Sequence, residues 1–256
     1  MRKILLPAAL AAVLAATYTG VALAAKDVII PLPVLELRID GSSGLTPKAL
    51  SKSEYTPVAL TVAGSIRDPS RAKPPPLEEV QIDAQNVAVT TKGFPTCSGG
   101  SRDALSTEEA KRACPDSIVG SGSMAVSVQF PEGGTPIPAT SPLLIFNGGT
   151  LNGTTTLYIH AYLTQPITTA VVATVKIVKA GTGIKSVTTI PKIVNGAVSV
   201  TNLSLRIDKK YTYRGKKVSV VGAKCIGGET QADVTTKFYD GSQLSADVLR
   251  TCTSKP

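Results

Sequence analysis

Between Thr156 and Leu163 the chain alternates residue by residue, with Leu157, Ile159, Ala161 and Leu163 on one side and Thr156, Tyr158, His160 and Tyr162 on the other. A period of two marks a strand with one buried face. The pattern recurs in Leu35, Leu37 and Ile39 (34–40), in Val58, Leu60, Val62 and Ile66 (58–67), and in Met124, Val126, Val128 and Phe130. The first of these strands is read over 154–163, and further strands over 77–92, 142–146, 170–179, 184–193, 197–207, 210–213, 217–225, 230–239 and 244–252. Within 77–92 the inward set shifts from Val80, Ile82 and Ala84 to Val87 and Val89, which predicts a bulge near Gln85 and Asn86. Asn147-Gly148, Asn195-Gly196 and Asp240-Gly241 read as tight turns, and 41–56 as a polar linker. One short helix is signalled, by the capping box Ser106-Thr107-Glu108-Glu109. The expected fold is all-β: an antiparallel β-sandwich, or alternatively a partly open β-barrel, with that helix in a disulfide-closed loop. No 20–50-residue repeat is present, which argues against a propeller or solenoid.

Arg2 and Lys3, the apolar run 4–16 and Ala22-Leu23-Ala24 have the layout of a secretory signal peptide, so residues 1–24 are expected to be removed on export. No later stretch reaches 18 consecutive apolar residues, so no membrane-spanning helix is expected. Residues 25–256 read as a single β-rich domain with 93–118 as a cysteine-loop insertion. The expected location is secreted, extracellular or cell-envelope.

Cys97, Cys114, Cys225 and Cys252 fit an oxidising compartment. Four cysteines allow three connectivities. Cys97 and Cys114 bracket the short helix, and closing that loop is worth roughly 3 kcal/mol in the chain-entropy model. Cys225 and Cys252 fall at the same end of a C-terminal meander, and they meet only if the chain curls past its middle strand. No Cys-x-x-Cys or Cys/His pair points to zinc. No metal or cofactor is implied.

His160 is the single histidine, and no Gly-x-Ser-x-Gly elbow accompanies it. Tyr158, His160 and Tyr162 form a stripe that either lines a ligand groove or is the polar outer face of a strand. Paired carboxylates for glycoside hydrolysis are sought among Glu78, Glu79, Asp83, Asp233, Asp240 and Asp247. A two-residue turn at Asp240-Gly241 puts Asp233 opposite Val248 and sends Asp247 to the other face, so that pair fails. No nucleotide-binding signature opens a helix, and Asn152-Gly153-Thr154 and Asn202-Leu203-Ser204 match the glycosylation sequon. No catalytic set is recognised, and the chain is expected not to be an enzyme.

The formal net charge is +9. Its densest feature is Arg206, Lys209, Lys210, Arg214, Lys216 and Lys217, interleaved with Tyr211 and Tyr213 and opposed only by Asp208. Such a segment attracts an anionic envelope polymer or a lipid surface; export makes nucleic acid the least expected partner. An edge hairpin whose lysines discourage strand pairing explains the same residues without a ligand.

Gly93-Phe94-Pro95-Thr96-Cys97, Ala113-Cys114, Gly120-Ser121-Gly122, Phe146-Asn147-Gly148, His160-Ala161-Tyr162, Tyr213-Arg214-Gly215-Lys216-Lys217 and Ala223-Lys224-Cys225 carry a resemblance. Over most of the chain from about Val80, it resembles a group of uncharacterised secreted β-rich proteins of high-GC actinobacteria. The resemblance implies an exported, disulfide-bearing β-domain and transfers no catalytic residue. The expectation is a secreted or envelope-associated non-enzymatic domain that binds a surface polymer, lipid or partner. The alternatives are a hydrolase using carboxylates and a purely structural surface protein.

Overall fold

A computed structural model describes residues 37–97, 100 and 104–255; the expected signal peptide and the start of the first expected strand lie outside them. The N-terminal half supplies β1 (Arg38–Thr46), β2 (Ala49–Ser51), β3 (Thr56–Arg67), β4 (Leu77–Ala84), β5 (Val87–Val89), α1 (Thr107–Ala113) and β6 (Ile118–Val128). Four long strands follow: β7 (Ile137–Leu151), β8 (Thr154–Leu163), β9 (Thr169–Ala180) and, after β10 (Gly183–Thr189), β11 (Val198–Ile207). The chain ends in β12 (Lys210–Tyr213), β13 (Lys216–Ser219), β14 (Val221–Ala223), β15 (Glu229–Phe238), β16 (Gln243–Thr251) and β17 (Thr253–Lys255).

Antiparallel ladders run in the order β16-β15-β4-β10-β9-β8-β7-β6-β11-β3, with β1 on the far side of β3. β14 lies along the start of β3 and pairs on its other side with β5. Since β5 continues β4 past Gln85 and Asn86, the stretch from Leu77 to Val89 belongs to both ends of the sheet. The sheet bends over on itself into two facing layers, sandwich-like and without a closed barrel. Val175, Ile177 and Leu157 of one layer pack against Val58, Val221, Ala223 and Leu205 of the other. A second cluster, with Met124, Val126, Val128, Leu143 and Leu163, fills the other end. The break falls where the inward set changes parity: Asn86 takes φ +59, and Val87 and Val89 turn into the first cluster.

The two disulfides join Cys97 to Cys114 and Cys225 to Cys252. The capping box forms as its residues predict, with Ser106 Oγ accepting from Glu109 N and Glu109 accepting from Ser106 N. Among the described residues no helix is long and apolar enough to cross a membrane.

Four local expectations are corrected. The segment read as a linker holds β1 and β2, because β1 pairs along β3 from Arg38 to Thr46. Asn147-Gly148 is not a turn: β7 runs through it, and the buried Asn147 side chain donates to the Phe94 and Pro95 carbonyls. The reversal comes at Asn152-Gly153, the first sequon. Asn195-Gly196 joins strands that do not pair, since β10 lies between β4 and β9 while β11 lies between β3 and β6. The strand expected over 217–225 breaks at Val220, whose N–H donates to the Lys209 carbonyl, giving β13 and β14.

Candidate functional site

β12 and β13 form a two-stranded ribbon of their own, turned by Arg214 and Gly215, both at positive φ. Opposing residues share a face, so Tyr211 and Tyr213 fall with Val218 and Lys216, while Lys210 and Thr212 fall with Lys217 and Ser219. The tyrosine face is the docked one. The Tyr211 ring lies 5.0 Å from that of Phe94, and its hydroxyl donates to the Lys92 carbonyl at 3.0 Å. Burial pushes the Tyr211 phenol above its usual range. Tyr213 covers Gly93, which has φ +73 and no room for a Cβ beneath the ring. The tyrosines are anchors rather than open stacking platforms.

Lys210 and Lys217 lie on the opposite face, Arg214 in the turn, and Lys216 beside Tyr213 at the end of the tyrosine face. Lys209, Lys210, Arg214, Lys216 and Lys217 are exposed, and Lys92 joins them at the foot of the ribbon. Among the described residues none of these six is in an ion pair, whereas Arg206 is engaged by Asp208 at 2.7 Å. Lys209 lies over the Phe94 ring and Arg214 over that of Tyr213. The charge stands on a hairpin fastened through Tyr211 and Tyr213.

The stripe on β8 is divided. His160 is fully buried, and its Nε2 lies 3.0 Å from the Leu105 carbonyl of the cysteine loop. That loop covers the outside of β7 and β8, packing Cys97, Ala110 and Leu105 on Phe146, Leu144 and Tyr158. Tyr162 lies further along β8, half-buried. The three side chains line no shared groove. Their sequence could not show this, because the covering residue is 55 positions away.

The carboxylates also differ from expectation. Asp233 is directly opposite Asp247, and Asp83 is opposite Asp233 on its other side. The reversal is a three-residue loop, Tyr239-Asp240-Gly241, with Phe238 N donating to the Ser242 carbonyl and Gly241 at φ +84. One extra loop residue changes the register by one and brings both aspartates to the same face. Gln81 and Gln231 donate to Asp83 and Asp233 respectively. Asp233 and Asp247 are exposed on the outer face. A hollow of about 680 Å³ lies elsewhere, over β1, β3, β11 and β6, floored by Ser42, Ala63, Ser123, Ala125 and Ser204. Among the described residues no cluster of three or more His, Cys, Asp or Glu side chains is arranged to hold a metal ion. The chain matches no protein-family model, no curated protein and no solved structure.

Proposed function

We propose that this is an exported, non-enzymatic β-domain that holds to a polyanionic envelope surface through the β12–β13 ribbon. The observation that carries the reading is a ribbon docked through Tyr211 and Tyr213 that presents a set of exposed cations with no ion pair among the described residues. A hairpin serving only to blunt a sheet edge has no need of a fastened aromatic underside. Fixing the cations in advance lowers the ordering cost of binding a polyanion. Two disulfides fit an oxidising compartment and support export. The non-enzymatic part is supported by the placement of the candidate acids, none of which lines the hollow: Asp83, Asp233 and Asp247 stand side by side on β4, β15 and β16, Glu78 and Glu79 on β4, and Asp240 in the turn after β15.

The test is retention on immobilised long-chain polyphosphate. The protein is retained at about 20 mM salt and released by about 0.5 M, as counterion screening requires. Replacing Lys210, Lys216 and Lys217 by Glu abolishes retention without changing the thermal midpoint by more than a few degrees. Passage of the unaltered protein through the column at low salt overturns the proposal.

A further inference from the structure

The ribbon does not stand alone at its end of the molecule. Thr91, one residue from the Lys92 carbonyl that fastens Tyr211, has its hydroxyl 3.3 Å from that of Thr150 in β7. The next residue is Leu151, 77% exposed at the tip of the β7–β8 hairpin. The β9–β10 turn lies at the same end, and the Thr182 carbonyl in it accepts from Tyr55 Oη at 2.9 Å. Tyr55 is 41% exposed and carries the Lys224 ammonium 4.5 Å from its ring centroid. Two residues on, Ile226 is 52% exposed in the turn that leads to β15. Leu151, Tyr55 and Ile226 are the apolar side chains presented here, and cations accompany them: Lys92 next to the Thr91 that meets Thr150, Lys224 over Tyr55 and two residues before Ile226, and Lys179 ahead of the polar β9–β10 turn. Glu54 and Glu229 are the opposing acids on the same turns.

An aqueous polyanion gains nothing from a leucine presented to solvent at a hairpin tip. A bilayer surface does, since its headgroups meet the cations while the apolar tips enter the acyl boundary. We infer that this end of the sandwich docks on an anionic lipid bilayer, with Leu151 entering it and the β12–β13 ribbon lying against the headgroups. The inference rests on the polyanion reading above and names the surface concerned. Each cation near an anionic leaflet contributes roughly fivefold in affinity, and one partly buried leucine about tenfold.

The chain contains no tryptophan, so Leu151→Trp places a single reporter at the tip. On phosphatidylglycerol vesicles its emission shifts to the blue and is quenched by brominated acyl chains. On phosphatidylcholine vesicles it does not change. Leu151→Asp binds phosphatidylglycerol vesicles about tenfold more weakly and binds polyphosphate as the unaltered protein does. Unchanged emission on anionic vesicles, with polyphosphate binding intact, overturns the bilayer and leaves the polyanion reading standing. Binding to neither probe overturns both.

Discussion

Asp233 faces Asp247 across β15 and β16, a like-charged cross-strand pair extended by Asp83 on the neighbouring strand β4. Directly opposed like charges destabilise a sheet. Replacing Asp247 by Lys turns the repulsion into attraction, and the denaturation midpoint should rise by an equivalent of about 0.5–1 kcal/mol at low ionic strength. The gain shrinks with added salt. A lower midpoint would contradict the register.

His160 is a packing residue by its position. Its side chain fills space between β8 and the cysteine loop, near Phe146, whose ring centroid is 6.4 Å away. His160→Ala should cost about 2–4 kcal/mol, read by chemical denaturation, because a fully enclosed site collapses only partly around a truncated side chain. Binding to polyphosphate, measured on the folded fraction, should be unaffected. Selective loss of binding with full stability would return His160 to the candidate ligand residues.

Removing the Cys97–Cys114 bridge tests the same cover from the other side. The bond spans 17 positions, and the double replacement by Ser should lower stability by about 3 kcal/mol. Hydrogen exchange should become faster first in α1 and around Leu105, since the helix is short and the bridged Cys114 caps its C-terminal end.

The ribbon is predicted to depend on one glycine. Gly93→Ala places a methyl group where the Tyr213 ring lies, at a backbone φ of +73 that also disfavours a side chain. The ribbon should lift, seen as a loss of the Tyr213 ring's contacts in nuclear magnetic resonance spectra and weaker polyphosphate retention. Tyr211→Phe, which removes the hydroxyl that lies between the Lys92 and Thr90 carbonyls and leaves the ring in place, should cost about 1 kcal/mol.

Acid stability should show the contribution of Asp240. Burial raises its carboxyl, but hydrogen bonds from Ser242 Oγ, Arg71 and Ser242 N outweigh that effect and leave it below its ordinary value. A depressed folded-state value contributes stability that is present in full above the unfolded carboxylate range, near pH 4, and is lost as the pH falls through the lower folded value. Asp240→Asn should therefore flatten the acid limb of the stability profile. At neutral pH it should cost no more than about 1 kcal/mol.

Much of the fold is legible in the sequence where one strand's own alternation decides the matter. β8 begins and ends where Thr154 and Leu163 place it, and the Ser106–Glu109 capping box is a local arrangement that needs no distant partner. Legibility fails where a remote group decides. Asn147-Gly148 has the residues of a turn, but the Phe94 and Pro95 carbonyls give the Asn147 amide partners inside a continuing strand. The aspartate pair was hidden by a single loop residue, since Asp240-Gly241 looks alike in a two-residue and a three-residue reversal. The basic segment was visible as charge, but not the role of its tyrosines. Phe94 and Gly93, which receive them, lie more than a hundred positions earlier.

The Leu77–Val89 stretch carries a consequence for how the molecule reaches its native state. Its β5 end waits for Val221–Ala223 and its β4 flank for Ala232–Phe238, while Ala49 finds its neighbour at Thr253. Pairings so distant along the polypeptide impose a high contact order and slow assembly, of the order of milliseconds to seconds. A nascent chain lacking its C-terminal quarter can pair β4 with β10, but β2, β5 and the other flank of β4 still have no partner. Such delayed assembly suits the export proposed above, which calls for a polypeptide that is still open when it meets a translocation pore.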